Sequence, residues 1–152
     1  MERLKSSILD SFSQVDREQA DALLAEEAAK SRRKIVVLDD DPTGVQTVHG
    51  VSVYTDWSVE SIREGFAEEN KLFFILTNSR GFTVEQTTRA HREIGERVDQ
   101  VAKETGWDYL IISRGDSTLR GHYPLETELL KEEAEKANGW SMDGEIICPY
   151  FK

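Results

Sequence analysis

The segment spanning residues 34–44, "KIVVLDDDPTG", decides the fold. Its four consecutive apolar residues, 35–38, predict a strand buried on both faces, as in a parallel sheet. Three carboxylates, Asp39, Asp40 and Asp41, follow this strand directly, and adjacent carboxylates repel one another. A turn needs no run of three aspartates, so this strand end is the first candidate for a functional site.

The same alternation of strand and helix continues along the chain. Further apolar, β-rich runs occupy residues 51–54, 72–76, 109–112 and 146–147. Amphipathic segments lie between them at about 58–68, 83–104 and 123–137, two of them with N-terminal capping signals at Ser58 and at Thr83 with Gln86. This pattern predicts an α/β fold: an open, mostly parallel sheet with helices on both faces, a Rossmann-like three-layer arrangement. The short connection between the first two strands leaves an antiparallel pair open.

Composition narrows the function classes. The formal net charge of −10 opposes binding to a nucleic-acid backbone, and no apolar stretch approaches the length of a membrane span. The amino terminus lacks the apolar core of a signal peptide, so we expect a cytoplasmic protein. The only cysteine, Cys148, is predicted to be a small core residue in the last strand.

Two regions are expected. Residues 1–33 predict a helical extension whose apolar stripe comprises Leu4, Ile8, Phe12 and Val15. Residues 34–152 form the α/β domain. Because the sequence stops just after the run at 146–147, where a further loop and helix would follow, we expect a fragment or the first domain of a longer protein.

Three polar loops follow the first, third and fourth strands. Since parallel strands bring their carboxyl ends to one edge, "DDDPTG", "TNSRG" and "SRGDSTLRGHYP" should converge there. Arg80, Arg114 and Arg120 occupy the second and third loops. Clustered aspartates accept hydrogen bonds from hydroxyls or hold a divalent cation, whereas arginine grips a carboxylate or phosphate. A small hydroxy acid fits such a site.

The histidines and nucleotide motifs add little. His122 adjoins Arg120 and is retained as a candidate, whereas His49 and His91 have no such position. The sequence contains no zinc motif, no dinucleotide-binding glycine motif and no Walker loop. No metal site is predicted.

These loops resemble the N-terminal domain of the four-carbon acid sugar kinase family. The resemblance rests on "VVLDDDPTG", "LTNSRG" and "RGDSTLRG" and covers roughly residues 34–152. Pro42 stands where the family usually has Leu, and Arg114 where many members have Lys, so the substrate can differ within the family.

The resemblance implies an ATP-dependent kinase acting on a threonate, erythronate or 3-oxo-tetronate type of acid. ATP and Mg²⁺ would be bound mainly by a separate C-terminal domain, so this chain alone is expected to bind the acid without turnover. The implied catalytic residues are Asp40 and Asp41. The implied substrate-binding residues are Thr43, Gly44, Ser79, Arg80, Arg114, Asp116, Ser117, Thr118, Arg120 and His122.

Two alternatives stay open. Asp39, Asp41 and Thr43 also match the first motif of haloacid-dehalogenase-like, Mg²⁺-dependent phosphatases, although Arg120 stands where that superfamily needs an acid. The other alternative is a stand-alone binding module for a small acid. A homo-oligomer is compatible with either.

Overall fold

The computed structural model describes residues 5–11, 16–116, 120–139 and 141–148. The chain divides into two compact units, Met1–Arg32 and Arg33–Lys152. The described strands are β1 (Arg33–Asp39), β2 (Val53–Tyr54), β3 (Leu72–Leu76) and β4 (Asp108–Arg114). The described helices are α1 (Arg17–Lys30), α2 (Val59–Ala67), α3 (Val84–Thr105) and α4 (Leu125–Asn138).

The first unit contains a short 3-10 helix, Ser6–Ser11, followed by α1. Asp16 caps α1 by accepting a hydrogen bond from the Gln19 backbone N–H at 3.0 Å. No α1 side chain is buried. Of the predicted apolar stripe, Ile8 is exposed, and its other three members lie outside the described residues.

The second unit is built on a four-stranded sheet with the order β2-β3-β1-β4. Every strand pair is parallel. The first two strands, whose relative direction the sequence left open, are therefore parallel and are not neighbours, because β3 lies between them. The α/β class and the open parallel sheet are confirmed, and β1 lies at the centre with β3 and β4 on its two sides.

The main core lies on the face of the sheet that carries Val36 and Leu38. Helices α2, α3 and α4 all contribute to it, and Phe66 meets Phe73 edge-on with ring centroids 5.8 Å apart. On the opposite face Val37 is buried, whereas Leu110 at the sheet edge is 45% exposed. Among the described residues, helices α2, α3 and α4 pack on the face of the sheet that carries Val36.

Local capping explains where the helices begin. The Ser58 side chain accepts a hydrogen bond from the Ser61 backbone N–H at the start of α2. Thr83 and Gln86 form a reciprocal capping box at the start of α3, as the sequence predicts. No helix among the described residues is both long and apolar enough to span a membrane.

The prediction of a last strand at residues 146–147 is wrong. Residues 144–148 form neither strand nor helix, Ile146 is 93% exposed, and Cys148 is exposed instead of lying in a core. Apolar β-rich residues form a strand only where a neighbouring strand completes the hydrogen-bond ladder. None of the described strands pairs with this segment.

Candidate functional site

Three loops meet at the carboxyl ends of the neighbouring strands β3, β1 and β4. Their backbones are joined directly: Thr77 donates to the carbonyl of Asp39 at 2.9 Å, Arg80 donates to that of Asp40 at 3.3 Å, and Asp40 donates to that of Arg114 at 3.3 Å. The central position of β1 places its aspartates between the other two loops. The structure thus brings together the loops that the sequence predicted to converge.

Arg80 bridges the two aspartates that follow β1. Its guanidinium donates to both oxygens of Asp40, from Nη2 to Oδ1 at 2.9 Å and from Nε to Oδ2 at 3.2 Å. A third hydrogen bond runs from Nη1 to Asp41 Oδ2 at 3.0 Å. Asp40 is buried and the Arg80 side chain is 22% exposed. This planar fork is what allows two adjacent carboxylates to share one strand end.

Asp39 is a buried structural carboxylate. Its Oδ1 lies 3.3 Å from Arg114 Nη1, whereas its Oδ2 has no hydrogen-bond partner among the described residues. A Cβ added to Gly44 would overlap this carboxylate. Burial raises the pKa of Asp39, and the opposing effect of Arg114 is smaller. The carboxylate whose pKa is raised thus belongs to a residue without access to solvent.

Asp41 is the more accessible member of the pair. The hydroxyl of Thr43 donates to its Oδ1, and the backbone N–H of Thr43 donates to the same oxygen at 2.9 Å. These hydrogen bonds, helped by Arg80, lower the pKa of Asp41. Asp41 therefore stays ionised at neutral pH and can accept a hydrogen bond from a ligand hydroxyl.

The loop after β4 adds Asp116 and Arg120. The backbone N–H of Asp116 donates to Asp40 Oδ2 at 3.2 Å, which fixes this loop to the strand end of β1. Arg120 pairs with the Asp116 carboxylate, yet its side chain is 67% exposed. Ser117 and Thr118 lie outside the described residues.

Ser79 and His122 make hydrogen bonds within the protein. The Ser79 hydroxyl is buried and donates to Glu126 Oε1 at 3.1 Å. His122 Nε2 donates to the carbonyl of Phe82 at 2.9 Å, so this histidine ties the third loop to the second. Both side chains hold the loops in place.

Sequence reasoning missed Glu126 and His91. Both are buried, and His91 Nε2 lies 3.8 Å from Glu126 Oε1. Burial lowers the pKa of His91. In the sequence these residues look like ordinary members of charged helices. One feature of the sequence could have pointed to Glu126: it lies in the first helical turn after the loop that contains Arg120.

The charged groups of the site are arranged in pairs. Within the described ranges, no group of three or more His, Cys, Asp or Glu residues could hold a metal ion. Instead, each guanidinium of the site pairs with a carboxylate. Such paired groups can exchange partners with the hydroxyls and the carboxylate of a small polar ligand.

Residues 35–152 match the model of a family described as a sugar-binding N-terminal domain. Comparison with curated proteins and with solved structures found no match.

Proposed function

Because the chain belongs to the family of sugar-binding N-terminal domains of four-carbon acid sugar kinases, we propose that it binds a four-carbon sugar acid. The ligand is of the threonate, erythronate or 3-oxo-tetronate type. In the whole enzyme this acid would be the phosphoryl acceptor of an ATP-dependent kinase.

The observation that carries the proposal is the joining of the three loops around Asp40. The side chain of Arg80 and the backbone of Asp116 both donate to this one buried carboxylate. A strand-end site with fixed carboxylates on one side and exposed arginine on the other suits a ligand with hydroxyls at one end and a carboxylate at the other.

We assign the carboxylate of the ligand to Arg120, with Arg114 as the second cation. These side chains are 67% and 41% exposed, whereas Arg80 already makes three hydrogen bonds to Asp40 and Asp41. Because Arg80 is held in this way, its proposed part in binding is indirect: it keeps the aspartate pair in place.

We assign the ligand hydroxyls to Asp40 and Asp41. Both act as acceptors, and a carboxylate beside the reacting hydroxyl is the group that orients it for in-line phosphoryl transfer. Thr43 and Gly44 shape the turn that presents Asp41, and Ser117 and Thr118 are proposed to complete the polar contacts. Ser79 and His122 support the loops from behind.

ATP is assigned to a site outside this domain. The sequence has no glycine loop of the Walker type, and the described residues offer no cluster of metal ligands for a Mg²⁺–nucleotide. We therefore assign the phosphoryl donor to a separate domain of the whole enzyme.

The burial of Asp39 opposes the phosphatase alternative. That mechanism requires Asp39 to attack a phosphorus atom, but the residue is fully buried against Gly44. A nucleophile must reach its substrate, so this carboxylate is in the wrong place for phosphoester hydrolysis.

Isothermal titration calorimetry of the chain with L-threonate, D-threonate, D-erythronate and L-erythronate tests the proposal. At least one acid should bind, and Arg120→Ala should weaken it by about tenfold to a hundredfold, the worth of a hydrogen bond between charged groups. Arg89→Ala, an exposed change on α3, is the matched control and should bind normally. Absence of binding by every four-carbon acid, or equal binding by Arg120→Ala, would refute it.

A further inference from the structure

The proposed site borders a second buried carboxylate, that of Glu126 in the first turn of α4. The residue is only 3% exposed, although glutamate is rarely buried without a partner. Its Oε1 accepts the Ser79 hydroxyl at 3.1 Å. For Oε2, by contrast, the described part of the chain supplies no hydrogen-bond donor.

Oε2 faces the same space as Asp40. Both Glu126 Oε2 and Asp40 Oδ2 lie within 4.0 Å of the positions that a Cβ would occupy at Gly115 and at Gly121. The two glycines belong to the loop that follows β4, one on each side of Asp116. Because these glycines lack side chains, neither residue places a Cβ against the two carboxylate oxygens.

Glu126 is held in this orientation by the Ser79 hydroxyl, which donates to Oε1 at 3.1 Å. The His91 ring packs beside the same oxygen. Its Nδ1 donates to the Thr87 carbonyl at 2.9 Å, and its Nε2 lies 3.8 Å from Oε1, beyond hydrogen-bonding distance. Oε2 lies on the side of Gly115 and Gly121.

We infer that Glu126 binds one hydroxyl of the sugar acid through Oε2, opposite Asp40, with Gly115 and Gly121 leaving the space for it. The inference rests on the proposed function and extends it to a residue that selects the ligand by its hydroxyl pattern. An ionised carboxylate accepts hydrogen bonds only, so it favours a hydroxyl over a hydrogen or a methyl group at that carbon.

The test combines variants with ligand analogues. Calorimetry would measure the binding of the acid that binds the wild-type chain, and of its analogues that each lack one hydroxyl. Glu126→Gln should weaken the full acid by about tenfold, because a charge-assisted hydrogen bond becomes a neutral one. For one analogue, Glu126→Gln should cause no loss of affinity, because that analogue lacks the hydroxyl that Glu126 binds.

A second variant covers the case in which Glu126→Gln does not fold. Gly121→Ala puts a Cβ 3.2 Å from Asp40 Oδ2 and 4.0 Å from Glu126 Oε2. It should weaken the full acid and spare the same analogue. Glu128→Gln, an exposed change in the same turn of α4, is the matched control.

The outcomes separate the two proposals. If the wild-type chain binds none of the acids, the proposed function fails, and this inference fails with it. If the wild-type chain binds and Arg120→Ala weakens binding, but neither variant distinguishes the analogues, only the assignment of Glu126 is overturned. The assignment of Glu126 is supported if its variants lose affinity only for ligands that keep one particular hydroxyl.

Discussion

Gly44 packs directly against the carboxylate of Asp39 at the end of β1. A Cβ added to Gly44 would overlap both oxygens and the Cγ of Asp39, which is buried and has no room to move. We expect Gly44→Ala to lower the free energy of unfolding by about 1 to 3 kcal/mol, the usual cost of overpacking. Urea denaturation would measure it. Gly81→Ala, where a Cβ would meet nothing within 4 Å, should have a much smaller effect, and equal losses would contradict the packing described.

The raised pKa of Asp39 predicts that the stability of the protein depends on pH. Burial raises its folded-state pKa above the ordinary value of 3.8, so the folded state binds this proton more tightly than the unfolded state. Its contribution to stability is therefore complete below that value and is lost as the pH rises through the folded pKa. From about pH 4 upward, Asp39→Asn should gain stability relative to the wild type.

The measurement is urea denaturation of both proteins at a series of pH values. Asp143→Asn, at an exposed position, serves as the control for removing an acid from the surface. A constant difference between Asp39→Asn and the wild type across this range would show that the Asp39 pKa is not raised.

Arg80 should contribute to stability as well as to ligand binding. Arg80→Ala leaves the buried Asp40 without its side-chain donor and should cost about 1 to 3 kcal/mol. Arg80→Lys should recover only part of this loss, because an ammonium group does not reproduce the planar fork. Chemical denaturation would compare these variants with Arg63→Ala, which breaks an exposed pair with Glu104 and should have little effect.

In the double variant Arg80→Ala with Asp40→Asn, part of the lost stability should return, because no unpaired charge is then buried. Additive losses in this cycle would mean that Arg80 and Asp40 are not coupled.

Lys34 lies at the opposite end of β1 from the site. Its Nζ donates to the carbonyls of Glu68 and Asn70 at 2.6 Å each, and lies 5.2 Å from the centroid of the Trp107 ring. Lys34→Met should lower the free energy of unfolding by about 1 kcal/mol, the typical net worth of a hydrogen bond. Ligand affinity, measured by calorimetry, should not change. A marked loss of affinity would show that the two ends of the strand are coupled.

The elements and the meeting of the loops could be predicted because their signals are local. The start of α3 depends on Thr83 and Gln86, which are three residues apart, and helix α2 on the cap at Ser58. The carboxyl ends of parallel strands share an edge, so the loops containing Asp40, Arg80 and Asp116 could be placed together without coordinates.

Strand order and side-chain partners could not be predicted. No local sequence signal indicates that β1 lies between β3 and β4, or that Arg80 pairs with Asp40, 40 residues away in the chain. Glu126 carries the same sequence signal as the exposed Glu128, because burial of one helix face depends on what packs against it. The strand predicted at 146–147 failed for a related reason, since a strand also needs a neighbour.

The central position of β1 has a consequence for synthesis on the ribosome. Both of its partner strands come later in the chain, and the contact between Asp40 and Asp116 spans 76 residues. Parallel pairing over such distances is slow, because the entropy of closing a long loop is lost before the contact forms. The nascent chain therefore carries Asp40 and Asp41 without their cation until Arg80 has emerged, and Asp39 without Arg114 until β4 has emerged. Before that point no ligand can assist folding, because its binding site does not yet exist.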